Sequence, residues 1–400
     1  KVPEIRFYGF TYDWEQRKFS ELVTIERGGS PRPIDKFITN DENGLNWVKI
    51  GDAPEQGNYI TQTAEKIRPE GLSKTREVHP GDLILSNSMS FGRPYIMAID
   101  GCIHDGWLAI RDTKKNFDLK FLCTLLGTDG MLNQYKAMAA GSTVNNLNKE
   151  LVGGTTVTFP MVEEQIKIGD YFTTLDHLIT LHQRKCEQTK KLKKYMLQKM
   201  FPQNGAKVPE IRFYGFTYDW EQRKLIDYLE VSSEKNRDNR FTKEDVLSVS
   251  GEYGIVNQIE FQGRSFAGAS VSNYGVVENG DVVYTKSPLK SNPYGIIKTN
   301  KGIPGIVSTL YAVYKPKEIT DSKFVQIYFE LDSRMNSYMH PLVNKGAKND
   351  MKVSAENALK GMVSFPKKDE QEMISLYFST IDHLITLHQR QHKLHLNMLL

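Results

Sequence analysis

The sequence has little of what marks a membrane, secreted or metal-dependent protein. No apolar run approaches the ~20 residues that a bilayer span requires; the longest, such as Ile306–Val313, are strand-sized and interrupted. The segment Lys1–Gly9 lacks the apolar centre of a signal peptide, so the chain is expected to stay in the cytoplasm, away from membranes. Only three cysteines occur, Cys102, Cys123 and Cys186, and no pair has metal-ligand spacing. An odd, scattered set argues against both a disulfide framework and a zinc site. A Walker A loop, an HExxH pair, a GxSxG elbow and convincing nuclease carboxylate spacing are also missing.

What is present is an ordinary soluble composition on a long chain. Of 400 residues, 39% are apolar and 25% charged, which fits globular domains, and the length calls for two or more of them. The net charge of +4 permits a polyanionic partner without requiring one.

The strongest signal is a repeat. The eighteen residues Lys1–Lys18, KVPEIRFYGFTYDWEQRK, recur letter for letter at Lys207–Lys224, an offset of 206. HLITLHQR at His177–Arg184 recurs at His383–Arg390, and Phe159-Pro160 with Glu164-Gln165 recurs as Phe365-Pro366 with Glu370-Gln371, both at the same offset. Each copy therefore has an arm, a body and a C-terminal helix. A period this long excludes a solenoid and implies a pseudo-two-fold molecule, in which each arm is able to complete the other copy.

The bodies, 19–158 and 225–364, have diverged, yet a frame survives. Gly81-Asp82-Leu83-Ile84-Leu85-Ser86 matches Gly280-Asp281-Val282-Val283-Tyr284-Thr285, and Pro94-Tyr95 matches Pro293-Tyr294. In each, a Gly-Asp turn enters a buried strand, and a polar loop closed by Pro-Tyr follows. A later strand, Ile103–Ile110 or Val307–Tyr314, completes the pattern. This predicts an α+β fold: two tandem α+β domains of one kind with different loops.

After Pro160, Ile168, Phe172, Leu175, Ile179, His182 and Cys186 fall on alternating four-three steps, an a/d seam. Ile374, Phe378, Ile381, Ile385, His388 and His392 repeat it. The two helices are expected to pack as an antiparallel coiled coil, the seam imidazoles setting register and binding no metal. At ~1.5 Å per residue the first rod is roughly 57 Å long. From Arg184 to Lys199 it carries seven cations against Glu187 alone, a solvated face or a contact for phosphate or partner.

Polar loops mark the expected nucleic-acid surface. Ser86, Asn87, Ser88, Ser90 and Arg93 form an acid-free loop in the first body; Lys286, Ser287, Lys290, Ser291 and Asn292 form its counterpart. Val282–Lys317 contains six lysines and no acid. A second loop precedes each long helix: Ser142, Thr143, Asn145 and Asn146 in one copy, Lys345, Lys348 and Asn349 in the other. Lysine anchors phosphate, while arginine suits guanine and asparagine adenine.

No catalytic centre is expected. Asn292-Pro293-Tyr294 comes near the N-P-P-Y motif of adenine methyltransferases, but the second proline is missing, no FxGxG-type loop accompanies it, and Arg93-Pro94-Tyr95 stands at the matching place. Asp82 and Asp281 follow glycines at strand entries and read as turn residues.

Two variable bodies between near-identical segments, with Phe-Pro-x3-Glu-Gln, Asp-His-Leu-Ile-Thr-Leu-His-Gln-Arg and Leu197 to Pro202, LQKMFP, resemble the specificity subunits of type I restriction–modification systems across essentially the whole chain. The resemblance implies a non-catalytic subunit with two target recognition domains, 19–159 and 225–365, each reading half of a split site in double-stranded DNA. It implies scaffold arms at 1–18 and within the linker 202–224, and spacer helices at 160–201 and 366–400. It further implies two modification (methyltransferase) subunits that use S-adenosylmethionine, and restriction (motor-nuclease) subunits that use ATP and Mg²⁺; this chain itself would hold no cofactor. One departure is that, at the 206 offset, Leu400 matches only Lys194, so the second rod is about two turns shorter than the first. A truncation or a frameshift would explain this, and either puts the completeness of the second partner surface in question.

Overall fold

The computed structural model describes residues 3–55, 57–87, 91–139, 147–203, 205–286, 292–343 and 353–399. The chain forms two compact units. The first is Lys1–Arg184 with Gln389–Leu400, and the second is Lys185–His388. Each long helix, Val162–Lys199 and Lys368–Leu399, therefore contributes to both. The fold is α+β, as expected.

In the first unit two five-stranded sheets lie under a helical layer. The strand Leu83–Ser86 runs between Trp107–Arg111 and Pro94–Met97, antiparallel to both. Side chains alternate across it, as a strand's period of two requires. Ile84, with Trp107 and Ala109 of the neighbouring strand, packs on Val48 and Ile103 of the other sheet. Leu83 and Leu85, with Leu108 and Ile110, pack on Phe121, Leu122 and Leu126 of the helix Leu119–Leu126. Every side chain in this stretch is buried, which is why the sequence shows a continuous apolar run there.

The second unit repeats the plan with a four-stranded sheet, ordered Leu229–Val231, Tyr311–Pro316, Val282–Thr285, Ile297–Thr299. Val282 and Tyr284 face Phe324 and Val325 of the helix Ser322–Tyr328, while Val283 faces Leu247, Val277 and Val307. Both Gly-Asp turns behave as read. Gly81 and Gly280 take φ of +93° and +89°. The Asp82 and Asp281 carboxylates accept from the backbone N–H of His79 and Glu278, each at 2.8 Å.

The repeated motifs form one clamp, built twice. Each arm strand pairs antiparallel with the last strand of its own body, Glu15–Lys18 with Thr156–Phe159 and Glu221–Lys224 with Met362–Phe365. The Arg6 guanidinium donates twice to Glu164 at 2.7 Å, and Arg212 does the same to Glu370 at the same distance. The adjacent glutamine holds the body: Gln165 accepts from Asp118 N at 2.9 Å and donates to the carbonyls of Asn116 and Pro160. Gln371 does so with Asp321 N, Ile319 O and Pro366 O. Asp118 and Asp321 are the N-caps of the two body helices, so Glu-Gln in the first turn of each long helix fixes arm, helix and body together.

This corrects the expectation that each arm completes the other copy: each closes on its own. The arm's register partner lies at the end of the same body, and the clamp uses the first turn of the same copy's helix.

Gln371 is fully buried. Gln371→Ala strands three backbone groups and is expected to cost about 1–3 kcal/mol for each group that water fails to reach. Urea unfolding checks it; a loss under about 0.5 kcal/mol would show that the clamp carries no stability.

The predicted helix seams have two roles rather than one. Ile168 packs on the core of the first body, and Ile374, Phe378 and Ile381 lie inside the core of the second, with Ile385 at its margin. The early seam positions thus dock each helix on its own body. Leu175 is buried, while Phe172, Ile179, His182 and His388 are half-buried. Within the second unit, Lys193 bonds Asp382 and Phe201 packs on Phe378, so the two helices run antiparallel there. Within the first, the His182 ring lies 5.4 Å from that of His395.

Candidate nucleic-acid interface

In the first body, the strand Leu83–Ser86 delivers the chain to the polar loop. Ser86 and Asn87 are buried and brace that loop from within. The Ser86 hydroxyl accepts from Arg93 N at 3.0 Å. The Asn87 amide donates to Asp105 O at 2.8 Å, and its backbone carbonyl accepts from Leu147 N at 3.0 Å. These two side chains present no surface to a ligand, because polar groups at a buried strand end must satisfy their own hydrogen bonds first. Arg93 is half-buried. It donates to the carbonyls of Glu55 and Gly57 at 3.0 and 3.2 Å and lies 5.1 Å over the Tyr95 ring. It thereby ties Glu55 and Gly57 to the strand that carries Tyr95.

Ser88, Ser90, Ser142, Thr143, Asn145 and Asn146 lie outside the described residues. The contact of Leu147 with Asn87 nevertheless joins the ends of their two loops, which are separate in sequence.

In the second body, Lys286 donates to Thr309 O at 2.7 Å, and burial, helped by the charge of Lys235, pushes its pKa down. Asn292 is buried, and its carbonyl accepts from Gly295 N at 3.0 Å. Ser287, Lys290, Ser291, Lys345, Lys348 and Asn349 lie outside the described residues. The Tyr294 ring sits 6.1 Å from that of His340, and Tyr294, Leu342, Val343 and Val353 join one core. Here too the ends of the two polar loops are brought together.

Several lysines of the acid-free stretch find their partners within the chain. Lys315 pairs with Glu234 at 2.9 Å, and Lys317 donates to Ile226 O at 2.7 Å. Lys298 is buried, which lowers its pKa, and it sits near Lys193 and Glu330. The acids that serve these lysines come from other parts of the chain, out of reach of a reading along the sequence.

Two polar clusters were not foreseen. In the first body Ser30, His104 and Asp105 meet below the Asn87 loop. The Ser30 hydroxyl donates to Asp105 at 2.8 Å, and His104 Nε2 lies at 2.8 Å from the same carboxylate. Burial raises the Asp105 pKa, but the Ser30 bond and the charges of His104, Arg27 and Arg32 outweigh it and hold the carboxyl below its ordinary value. Gly28 and Gly29 let this strand pass so close: an added Cβ would sit 2.2 Å from His104 O and 2.4 Å from Lys74 O. Arg-Gly-Gly-Ser-Pro-Arg at 27–32 is the signal that could have found it.

In the second body Tyr253 and Phe261 are exposed with ring centroids 5.4 Å apart, and Arg264 lies 4.6 Å over the exposed Phe266 ring. Exposed rings with an adjacent guanidinium suit stacking and phosphate contact.

Among the described residues no group of three or more His, Cys, Asp or Glu is placed to hold a metal, and no helix is long and apolar enough to cross a membrane. All three cysteines are buried, and burial pushes the Cys123 thiol up to about 12.

Residues 12–191 match the family model of the type I restriction modification DNA specificity domain. Over 420 aligned residues the chain is 23% identical to a protein described as the MjaX specificity subunit of a type I restriction enzyme from Methanocaldococcus jannaschii, covering 95% of this chain and 89% of that one. Among solved structures, the S subunit of a type I restriction–modification system from M. genitalium aligns at a TM-score of 0.59 and 12% identity, over 100% of this chain and 97% of its own. The HsdS subunit from Thermoanaerobacter tengcongensis aligns at 0.48 and 16%, over 98% and 97%.

Proposed function

We propose that the chain is a type I restriction–modification specificity subunit and that each of its two bodies reads one half of a split site in double-stranded DNA. Subunits of this family supply DNA sequence recognition to a type I complex and leave the chemistry to its other subunits. One observation carries the two-reader reading. The copies share arm, clamp and helix, yet in each body the described residues that flank a different pair of polar loops meet, Asn87 with Leu147 in one and Tyr294 with His340 in the other. A scaffold held constant while the loops vary is what reading two different half-sites requires, since specificity comes from base-edge contacts and position from phosphate contacts.

The finer assignment follows from the family. Two modification subunits dock on the helix pair, bind S-adenosylmethionine and methylate adenine. Restriction subunits then use ATP and Mg²⁺, and the complex works in the cytoplasm. The helices set the gap between half-sites: the first, at 38 residues, is ~57 Å long against a DNA turn of ~34–36 Å. Of its seven late cations, Arg184, Lys185, Lys190, Lys191 and Lys194 are exposed and available to a partner or to phosphate.

Co-expression with the modification subunit, followed by single-molecule mapping of adenine methylation, tests this. The expected result is a motif of two short halves around a fixed unread gap. An insertion of about four residues after Cys186, one helical turn, should change that gap and leave the halves alone. Methylation without a split motif, or none from an intact complex, would reduce the chain to a scaffold.

A further inference from the structure

The second body holds aromatic side chains out in solvent. Leu247–Ser250 and Gly254–Asn257 form a two-stranded ribbon. Gly254 takes φ of +77° at its turn, and Tyr253 N donates to the Ser250 hydroxyl at 3.1 Å. Tyr253 stands on that turn, 62% exposed, against the ring of Phe261, 45% exposed, on the short helix Gln258–Gln262. Gln258 fixes the chain beyond the helix: its side chain accepts from Phe266 N at 2.6 Å and donates to Ser248 at 3.1 Å. Phe266 is 57% exposed beneath Arg264. Single exposed rings are ordinary, but a cluster of them on a braced turn marks an interaction surface.

This turn stands beside the polar loop of the same body. A Cβ at Gly251 would lie 4.0 Å from Ile296, just beyond Asn292. The Tyr311 hydroxyl meets the Val249 backbone, and the preceding residue, Leu310, accepts from Lys286 N. Lys235 lies close enough to Lys286 for its charge to act there. Phe241, from the same segment as Lys235, packs in one cluster with Ala267, which follows Phe266. Lys235 and Arg264 are exposed and form no ion pair among the described residues, whereas Glu234 and Glu278 are held by Lys315 and Arg240.

We propose that this aromatic turn is a third DNA contact of the second body: Tyr253 and Phe261 press on base edges in the major groove, and Lys235 and Arg264 hold phosphates beside it. The inference rests on the reading that the bodies bind double-stranded DNA. A major groove ~12 Å wide admits a two-stranded ribbon, and rings meet thymine methyl groups there. Glu252, exposed on the same turn, points to a base edge, since phosphate repels a carboxylate and cytosine N4 donates to one. With Glu260 exposed as well, the rings rather than an excess of positive charge must supply most of the contact.

The first body has no equivalent. Its matching strand, Leu45–Val48, runs parallel to Gly101–Ile103, as Val246 bridges Ile306 in the second, yet residues 49–64 after it hold one aromatic side chain, Tyr59. The two half-sites would therefore be read with different chemistry.

The test uses the chain co-expressed with the modification subunit, and a fluorescent duplex carrying the site that methylation mapping assigns. Affinity is measured over a range of salt. Tyr253→Ala with Phe261→Ala should weaken binding about tenfold or more and leave the salt slope unchanged. Arg264→Ala should instead lower that slope by about one, the mark of one lost phosphate contact. In the methylation map of the double variant, only one half of the motif should lose definition. Should that variant fail to fold by circular dichroism, Tyr253→Ser alone, at the exposed turn, must weaken binding about threefold or more. Folded variants that bind like the wild type, with the split motif in place, overturn the aromatic contact and leave the two-reader function standing. Loss of the modification subunit on gel filtration, with unchanged DNA affinity in what stays assembled, would make the rings a protein contact and overturns it equally. A wild-type complex without a split motif removes both readings.

Discussion

Phe201→Ala is expected to destabilise the second unit by about 3–5 kcal/mol, the range for removing a buried aromatic side chain. Phe201 is 1% exposed and meets four rings, those of Trp220, Phe324, Tyr328 and Phe378. The Arg334 guanidinium also lies 4.4 Å over its face. Relaxation cannot fill the void, because these neighbours are pinned by the arm, the body helix and the second long helix. Hydrogen exchange followed by mass spectrometry separates the units. Protection in Ser322–Tyr328 and Met362–Phe365 should fall by roughly two to three orders of magnitude, while Leu83–Ser86 in the first unit keeps its own. Unchanged protection in the second unit would mean that the helix end is an ornament on that core.

The second large effect is expected from Glu370→Ala. This carboxylate is 2% exposed and serves two elements at once. It takes both hydrogen bonds of Arg212, and the Trp220 indole donates to it at 3.3 Å. Its removal strands a guanidinium and an indole N–H. The loss should be about 2–3 kcal/mol, less than the 3–5 of a fully enclosed pair, because Arg212 keeps some contact with water. Glu164→Ala should cost less, since Trp14 makes no matching bond in the first unit. Chemical denaturation of the two variants side by side checks the order. Equal losses would show that the indole bond is immaterial.

The sequence by itself determined the repeat, the α+β bodies, the long helices and the resemblance to type I specificity subunits. Each rests on a local pattern: identical letters at one offset, apolar runs of strand length after Gly-Asp, and four-three spacing after Pro160. Tertiary structure alone decided what the polar side chains do. Ser86 and Asn87 look like loop residues in the sequence, yet they face inward because their strand ends inside the core, where their polar atoms must find partners. Lys315 and Lys193 look like free cations until the fold brings Glu234, Glu330 and Asp382 to them. The Glu-Gln pair was visible as a motif, but its meaning was not, because it joins an arm 158 residues away to a helix cap 47 residues away. Local pattern dictates which elements form. Which groups remain free to bind depends on contacts between residues distant in sequence, and only the closed fold makes those contacts.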